Sequence, residues 1–299
     1  MAATIIWNAP LTAASSIAHG GETRGTITLL RRELIVQPDG RPIYVPVISG
    51  NSFRGRLRRI GEELLRDTLG YEGQLSLPAA HALRGGGSLA KTSSEPLSGR
   101  RLRDLRTLVP HVGVFGCAGG GRIIDGCLQV GKIVPHVAET AHIVGEQVQN
   151  LPVFQATQIE TYIRQDDTTL HSFADVLTSH WVPVDDAGLP ILDDLPAANA
   201  RSGTAQLMMY RIETFPAGTR FSSWLRLERA TDLEVAFFTD VLDAFVRDPR
   251  IGGRGGIGHG IVQPDLARAV VTGDPGQADW RTHVQERRGQ ALTALESLT

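Results

Sequence analysis

Val47-Ile48-Ser49-Gly50-Asn51-Ser52-Phe53-Arg54-Gly55-Arg56-Leu57-Arg58 is where the chain changes period. Upstream, apolar residues come in short β-type runs: Thr4 to Trp7, Thr26 to Leu30, Glu33 to Gln37 and Ile43 to Val47. The last two flank Pro38-Asp39-Gly40-Arg41, whose Asp-Gly pair predicts a hairpin turn. Downstream, Phe53, Leu57, Ile60 and Leu64 repeat at the spacing of one apolar helix face. Asn51 or Ser52 is the expected N-cap.

The same reading extends to the rest of the chain. His19 to Gly25 reads as a loop, and residues 85–88 and 91–94 as loop material. Gly99 to Arg106 is a basic cluster, followed by strand-like runs at Val112 to Phe115 and Ile123 to Val134. From about Asn150 to Asn199 the sequence is irregular and acidic, with one candidate hairpin around Gln158 to Arg164. A further hairpin is expected from Ala205 to Thr214, the turn Pro216-Ala217-Gly218, and Arg220 to Leu227. Thr231-Asp232 then caps a helix with Leu233, Phe237, Val241 and Ala244 on its apolar face. A glycine-dense loop from Gly252 to Gly260 precedes Ile261-Val262, and the polar tail after Asp274 reads as a terminal helix. There is no strict βαβ alternation and no repeat. The fold class predicted is α+β, an antiparallel sheet with helices on one face.

Composition narrows the function classes. The 299 residues are 41% hydrophobic and 21% charged, with a formal net charge of −2. These values exclude wholesale disorder. No apolar run reaches the roughly 20 residues that a bilayer requires. Two cysteines, Cys117 and Cys127, cannot build a disulfide framework, which points to a reducing cytoplasm. The charge is segregated: Arg24 to Arg106 holds fifteen Lys or Arg against eight Asp or Glu, whereas Glu139 to Asp248 holds seven against seventeen. Such asymmetry suits a polyanion on one side of the molecule.

Most chemical motifs fail on inspection. Gly126 to Lys132 has P-loop spacing, but Ile133 stands where Ser or Thr would hold Mg²⁺. Gly253 to Gly258 satisfies G-x-G-x-x-G, yet it follows a predicted helix and precedes a strand, the reverse of a dinucleotide site. No zinc spacing and no nucleophile elbow occur. Two features remain. Arg54, Arg56, Arg58 and Arg59 crowd the first turns of a helix, where cations oppose the dipole unless an anion docks there. Six glycines among the nine residues Gly252 to Gly260, with Arg254 and His259 between them, allow a backbone to approach phosphate closely.

Taken in order, three stretches resemble the RAMP superfamily of CRISPR-associated proteins, and within it the backbone subunit that polymerises along guide RNA. They are Val47 to Arg58, Val114-Phe115-Gly116 with Gly121-Arg122-Ile123 and Asp125, and Phe215 to Phe221 with Ile251 to Gly260. The resemblance implies a ferredoxin-like, RRM-related palm with a glycine-rich loop and insertions that include a β-hairpin thumb. It places the palm in residues 1–80, 107–149 and 200–272, a basic insertion in 81–106, a thumb in 150–199 and a tail helix in 273–299. It implies a non-catalytic, cytoplasmic subunit that binds guide RNA and needs no cofactor. Its other partners would be copies of itself, stacked head to tail, and other effector subunits, with no membrane. The residues it assigns to RNA are Ser52, Arg54, Arg56, Arg58, Arg59, His19, Arg24, Arg100, Arg101, Gly253, Arg254, Gly255, Gly256 and His259. Family members that cleave target RNA carry an aspartate in the loop after the first strand. Here Thr12 to Gly25 holds His19 and Glu22 but no aspartate, which leans the resemblance towards a type IV assembly. The alternative is a RAMP endoribonuclease acting on target or precursor RNA, with His19 as base or Glu22 as metal ligand.

Overall fold

Alternating burial along Ala3–Asn8 (β1) buries Ala3, Ile5 and Trp7 and leaves Thr4 and Ile6 half-buried, so one face of the strand belongs to the core. The computed structural model describes residues 2–87, 99–119, 122–145, 151–164 and 208–298. In it β1 pairs antiparallel with Trp224–Ala230 (β14) and with Ala267–Thr272 (β16), and β14 pairs antiparallel with Leu128–Val130 (β9). The spatial order is β16-β1-β14-β9. Counted along the chain, that is fourth, first, third, second. The helix Gly50–Leu69 (α1) lies between β1 and β9, and Asp232–Arg247 (α6) between β14 and β16. This is the split βαβ arrangement of a ferredoxin-like core, as the α+β reading requires.

Both long helices pack on the same side of this sheet and against each other. The rings of Phe53 and Phe245 stand 5.3 Å apart between them, and Trp7 on β1 meets Phe238 on α6 at 5.5 Å. A capping box starts α6: Thr231 Oγ1 accepts the Glu234 N–H while the Glu234 carboxylate accepts the Thr231 N–H. Trp280 of the short helix Trp280–Glu286 (α7) closes the far side, edge-on to Phe237, and its indole N–H donates to Asp240. Arg288–Glu296 (α8) follows, so the tail is two helices rather than one.

Two further four-stranded sheets extend the palm. Leu11–Ala13 (β2) lies between Arg220–Ser222 (β13) and Val262–Pro264 (β15), with Val134–Pro135 (β10) at the edge. In the other sheet, Gly20–Arg24 (β3) pairs with Ile27–Leu30 (β4), which runs parallel to Met208–Thr214 (β12), itself antiparallel to Gln158–Arg164 (β11). The hairpin expected at Asp39-Gly40 forms from Arg32–Val36 (β5) and Pro42–Pro46 (β6).

Several expectations are corrected. The loop His19 to Gly25 contains β3, because Gly25 at φ +60 turns the chain into β4. The Pro216-Ala217-Gly218 turn exists, but its flanking strands diverge into different sheets and form no hairpin. Gln158–Arg164 is one strand paired with residues 44 to 56 positions away, not a local hairpin. The loop expected at 85–88 follows a helix, Leu77–Gly85 (α2), that ends on its first residue, and the basic cluster is the helix Gly99–Leu108 (α3). Residues 91–94 and most of the expected thumb lie outside the described residues. Val112 to Phe115 is helix, not strand: Pro110 opens Pro110–Phe115 (α4) at its first position and Gly116, at φ +58, ends it. A Cβ on Gly116 would sit 2.2 Å from the Ile124 carbonyl oxygen, so no other residue fits.

That α4 end is held by arginine. Arg58 is buried and donates to the Gly116 carbonyl at 2.7 Å and the Phe115 carbonyl at 2.6 Å, while its guanidinium lies over the Phe115 ring. Burial, with Arg54 alongside, pulls its pKa down to about 10. Replacing Arg58 by Met leaves the Gly116 carbonyl buried without this donor, whereas Phe115 keeps Arg54. Arg58→Met is expected to destabilise the fold by about 2–4 kcal/mol and Arg54→Met by clearly less, measured by urea unfolding. Behind Arg58, fully buried His111 donates Nε2–H to the Arg58 carbonyl and has no partner at Nδ1 among the described residues. Burial first, then the Arg58 charge, lowers its pKa from 6.5 to about 3. The unfolded chain therefore takes up this proton below about pH 6.5 while the folded chain resists it to about 3. Stability is full above that window and falls with pH inside it, by about 2 kcal/mol between pH 7.5 and 5. Chemical unfolding across this range is expected to show a flattened slope in His111→Phe.

Candidate nucleic-acid interface

The start of α1 is fixed by Ser49, not by Asn51 or Ser52. Ser49 Oγ accepts the Ser52 N–H at 3.2 Å, which places Asn51 and Ser52 in the first turn. The N–H of Ser49 itself donates to His19 Nε2 at 3.2 Å. His19 therefore holds its proton on Nδ1, and burial, with Arg31 nearby, keeps its pKa below the ordinary range. One residue earlier, the Ala18 carbonyl accepts the Gly253 N–H at 2.7 Å. Two adjacent residues thus join the N-terminus of α1 to the glycine-rich loop.

A second link runs through charge. Asp248, just past the end of α6, accepts from Arg56 and from Arg250, each at 2.7 Å. Arg250 first, then Arg56, holds the Asp248 carboxyl below its ordinary pKa. The Arg250 guanidinium also reaches the Gly255 carbonyl at 3.4 Å. Arg56, Asp248, Arg250 and Gly255 therefore share one side of the molecule.

The four arginines of α1 divide by depth. Arg54 and Arg58 turn inward to the carbonyls that end α4. For Arg58 the expectation of phosphate contact is corrected, since its guanidinium is buried and spent on backbone oxygens. Arg56 is partly exposed beside Asp248, and Arg59 is exposed. The opposition between cations and the helix dipole is thus partly relieved from within, by carbonyl oxygens rather than by an external anion.

The loop itself is exposed from Gly252 to Gly258 and includes the 3₁₀ turn Gly255–Ile257. Arg254 sits at φ +60, a left-handed conformation that a non-glycine residue rarely takes. Gly255 and Gly256 are informative for the opposite reason. A Cβ on either would meet nothing within 4 Å, and neither needs a left-handed backbone. No internal packing explains glycine at these two positions. A ligand approaching the main chain would.

His259, expected at the surface, is buried under this loop, and a phosphate contact there is corrected for the same reason as at Arg58. Its Nδ1 lies 2.8 Å from Ser16 Oγ and its Nε2 2.6 Å from Tyr162 Oη. Tyr162 donates its single hydroxyl proton to the Glu160 carboxylate at 2.7 Å, so His259 donates Nε2–H to the Tyr162 oxygen. Burial alone would raise the Glu160 pKa; hydrogen bonds from Tyr162, Thr214, Ser16 and Gln158 outweigh it and hold the carboxyl at about 2. Burial and the Glu160 charge push Tyr162 up to about 12.

The remaining candidates scatter. Arg24 is exposed on β3, paired with Glu22, in a cleft shared with Arg31, Arg32 and Tyr44. Arg100 and Arg101 ride on α3, whose principal neighbours are α4 and α8, away from the glycine-rich loop. Sequence reasoning missed Asp248, Arg250, Arg31 and the Glu160–Tyr162 pair. Asp248-Pro249-Arg250, wedged between a helix end and six glycines, was a readable signal; the pairing that brings Tyr162 under the loop was not. Among the described residues no group of three or more His, Cys, Asp or Glu is placed to hold a metal ion, and no helix is long and apolar enough to cross a membrane. Both cysteines are free and buried, which raises the pKa of each.

No curated protein matches the chain. A chain of a solved structure described as "Type IV-B CRISPR Complex" is 30% identical, with a TM-score of 0.61, over 92% of this chain and 96% of that one. The crystal structure of Thermofilum pendens Csc2 aligns over 100% of this chain and 81% of its own at 13% identity and a TM-score of 0.43. The family model described as the RAMP superfamily matches residues 16–263, from the Ser16 that touches His259 to the strand after the glycine-rich loop. With its ferredoxin-like core and a family match over most of its length, the chain belongs to the RAMP superfamily.

Proposed function

We propose that this chain is a non-catalytic backbone subunit of a type IV RNA-guided effector complex, stacking head to tail along guide RNA. The observation that carries the reading is the single exposed surface made by the first turns of α1 and the glycine-rich loop, joined through Ala18, His19 and Asp248. Arg56, Arg59 and Arg250 supply charge to the sugar–phosphate backbone, and Gly253, Gly255 and Gly256 let it approach the main chain. Ser52 is a hydroxyl donor at the same helix start. Base pairing, not side chains, carries sequence specificity in such an assembly. The similarity to a chain of a type IV-B complex across nearly the whole of both chains supports the assembly and its other subunits as partners. The acidic stretch from Glu139 to Asp248 and the basic stretch from Arg24 to Arg106 suit a heterologous contact between successive copies. On this reading residues 81–106 and 150–199 are insertions on the palm, the second a thumb over the RNA.

The endoribonuclease alternative finds less support. The His19 Nε2 lone pair is occupied by the Ser49 N–H, and Glu22 is committed to Arg24. A general base needs a free lone pair within reach of its proton.

The decisive variant replaces Gly255 and Gly256 by Ala together. Neither Cβ meets protein, so the thermal midpoint is expected to stay within about 2 °C of the parent. Affinity for a single-stranded RNA oligonucleotide, measured by fluorescence anisotropy, is expected to fall about 10-fold as the main chain is held off the phosphates. Protein that folds normally and binds RNA with unchanged affinity would remove the loop from the interface. Parent protein that neither carries RNA on purification nor binds the oligonucleotide would overturn the function itself.

A further inference from the structure

Arg254 occupies its left-handed backbone position at the tip of the exposed loop, and its side chain is not loose there. The guanidinium carbon lies 4.9 Å from the centre of the Tyr210 ring. Tyr210 in turn stacks on Tyr162, its cross-strand partner in the β11–β12 ladder, with centroids 5.4 Å apart and planes inclined by 14°. Tyr162 is anchored from below by hydrogen bonds to Glu160 and to buried His259. The result is a stacked tyrosine pair with a fixed base, and the Arg254 guanidinium rests over the ring of its second member. Among the described residues no carboxylate pairs with Arg254, although aspartate or glutamate partners take up Arg24, Arg56 and Arg250.

A phosphate contact does not explain this construction. A guanidinium that serves phosphate uses its charge and its fork of N–H donors, neither of which calls for two aromatic rings behind it. What a flat backing of two aromatic rings adds is orientation of the guanidinium plane. Oriented guanidinium planes stack unpaired nucleobases, and stacking is indifferent to which base is presented. The backbone strain at Arg254 has the same sense: a left-handed non-glycine residue persists only where the surroundings enforce it, and such residues cluster at ligand clamps.

We propose that Arg254, backed by Tyr210 and Tyr162, is a nucleobase-stacking site that holds one unpaired RNA base against its outer face. The assignment rests on the RNA-binding reading above and changes the role of Arg254 within it, from a phosphate contact to a base platform. Arg254 and Tyr210 touch the base or its support directly; Tyr162, Glu160 and His259 are positioning residues that act through the stack.

Charge and planarity are separated by Arg254→Lys, which keeps the first and loses the second. The probe is a single-stranded RNA carrying 2-aminopurine at successive positions, whose fluorescence drops when the base stacks. With the parent protein, quenching is expected at one or more positions. Arg254→Lys is expected to relieve it and to weaken binding about 10-fold, within the range that base stacking supplies, with the salt dependence of affinity unchanged. Tyr210→Leu removes the backing while leaving the arginine and is expected to give the same loss, so the test does not hinge on one variant. Parent protein that binds RNA without quenching at any position, or an Arg254→Lys protein that quenches and binds like the parent, would overturn the stacking site while leaving the RNA-binding reading intact. Parent protein that binds no RNA would overturn both.

Discussion

Two adjacent residues set the geometry on which the rest depends. The Ala18 carbonyl takes the Gly253 N–H, and the His19 imidazole takes the Ser49 N–H. Through that pair of bonds a segment from the first forty residues holds the opening of α1 against a loop that lies some two hundred residues further on. The ferredoxin-like order of the central sheet makes this possible, because β1 stands between β14 and β16 and the chain leaving it passes the start of α1 and the loop that follows α6. Break the clamp and neither the arginines nor the glycines change chemically, but they no longer form one surface.

Charge at the start of α1 is divided between two tasks. Cations there are unfavourable beside the helix dipole, which taken alone calls for an external anion. The structure meets half of that demand internally. Arg54 and Arg58 lie against the carbonyls of Phe115 and Gly116, where the C-terminal end of α4 presents partial negative charge. Buried His111 and the Arg58 pKa of about 10 record how dry that contact is. Arg56 stays outside with Arg250, joined to it through Asp248, and Arg59 is exposed one turn further along. One arginine-rich helix thus both anchors the palm and charges its surface. A count of cations in the sequence cannot separate the two.

Local signals were the ones that could be read in advance. The period change at Gly50, the Thr231–Glu234 capping box and the Asp39-Gly40 turn each act within one element, so α1, α6 and the β5–β6 hairpin were legible. Val112 to Phe115 misled because four apolar residues fit a buried strand or a buried helix equally well, although Pro110 and Gly116 were punctuation for a helix. The strand order itself came from resemblance, since nothing in the spacing says that β14 inserts beside β1. In the site, Arg59, Gly255 and Gly256 are exposed. Arg58 and His259, which the resemblance assigns to RNA, are buried, because their partners Phe115, Tyr162 and Ser16 are distant in sequence. Tyr210 and Tyr162 meet across a ladder whose register no local pattern encodes.

The account is most directly tested by ultraviolet cross-linking of the protein to the RNA with which it purifies, followed by mass spectrometry of the linked peptides. Links concentrated in two separate peptides, one within residues 49–59 and one within 250–260, are the expected result. Links confined to α3 and α8, with both of those peptides clean, would contradict it.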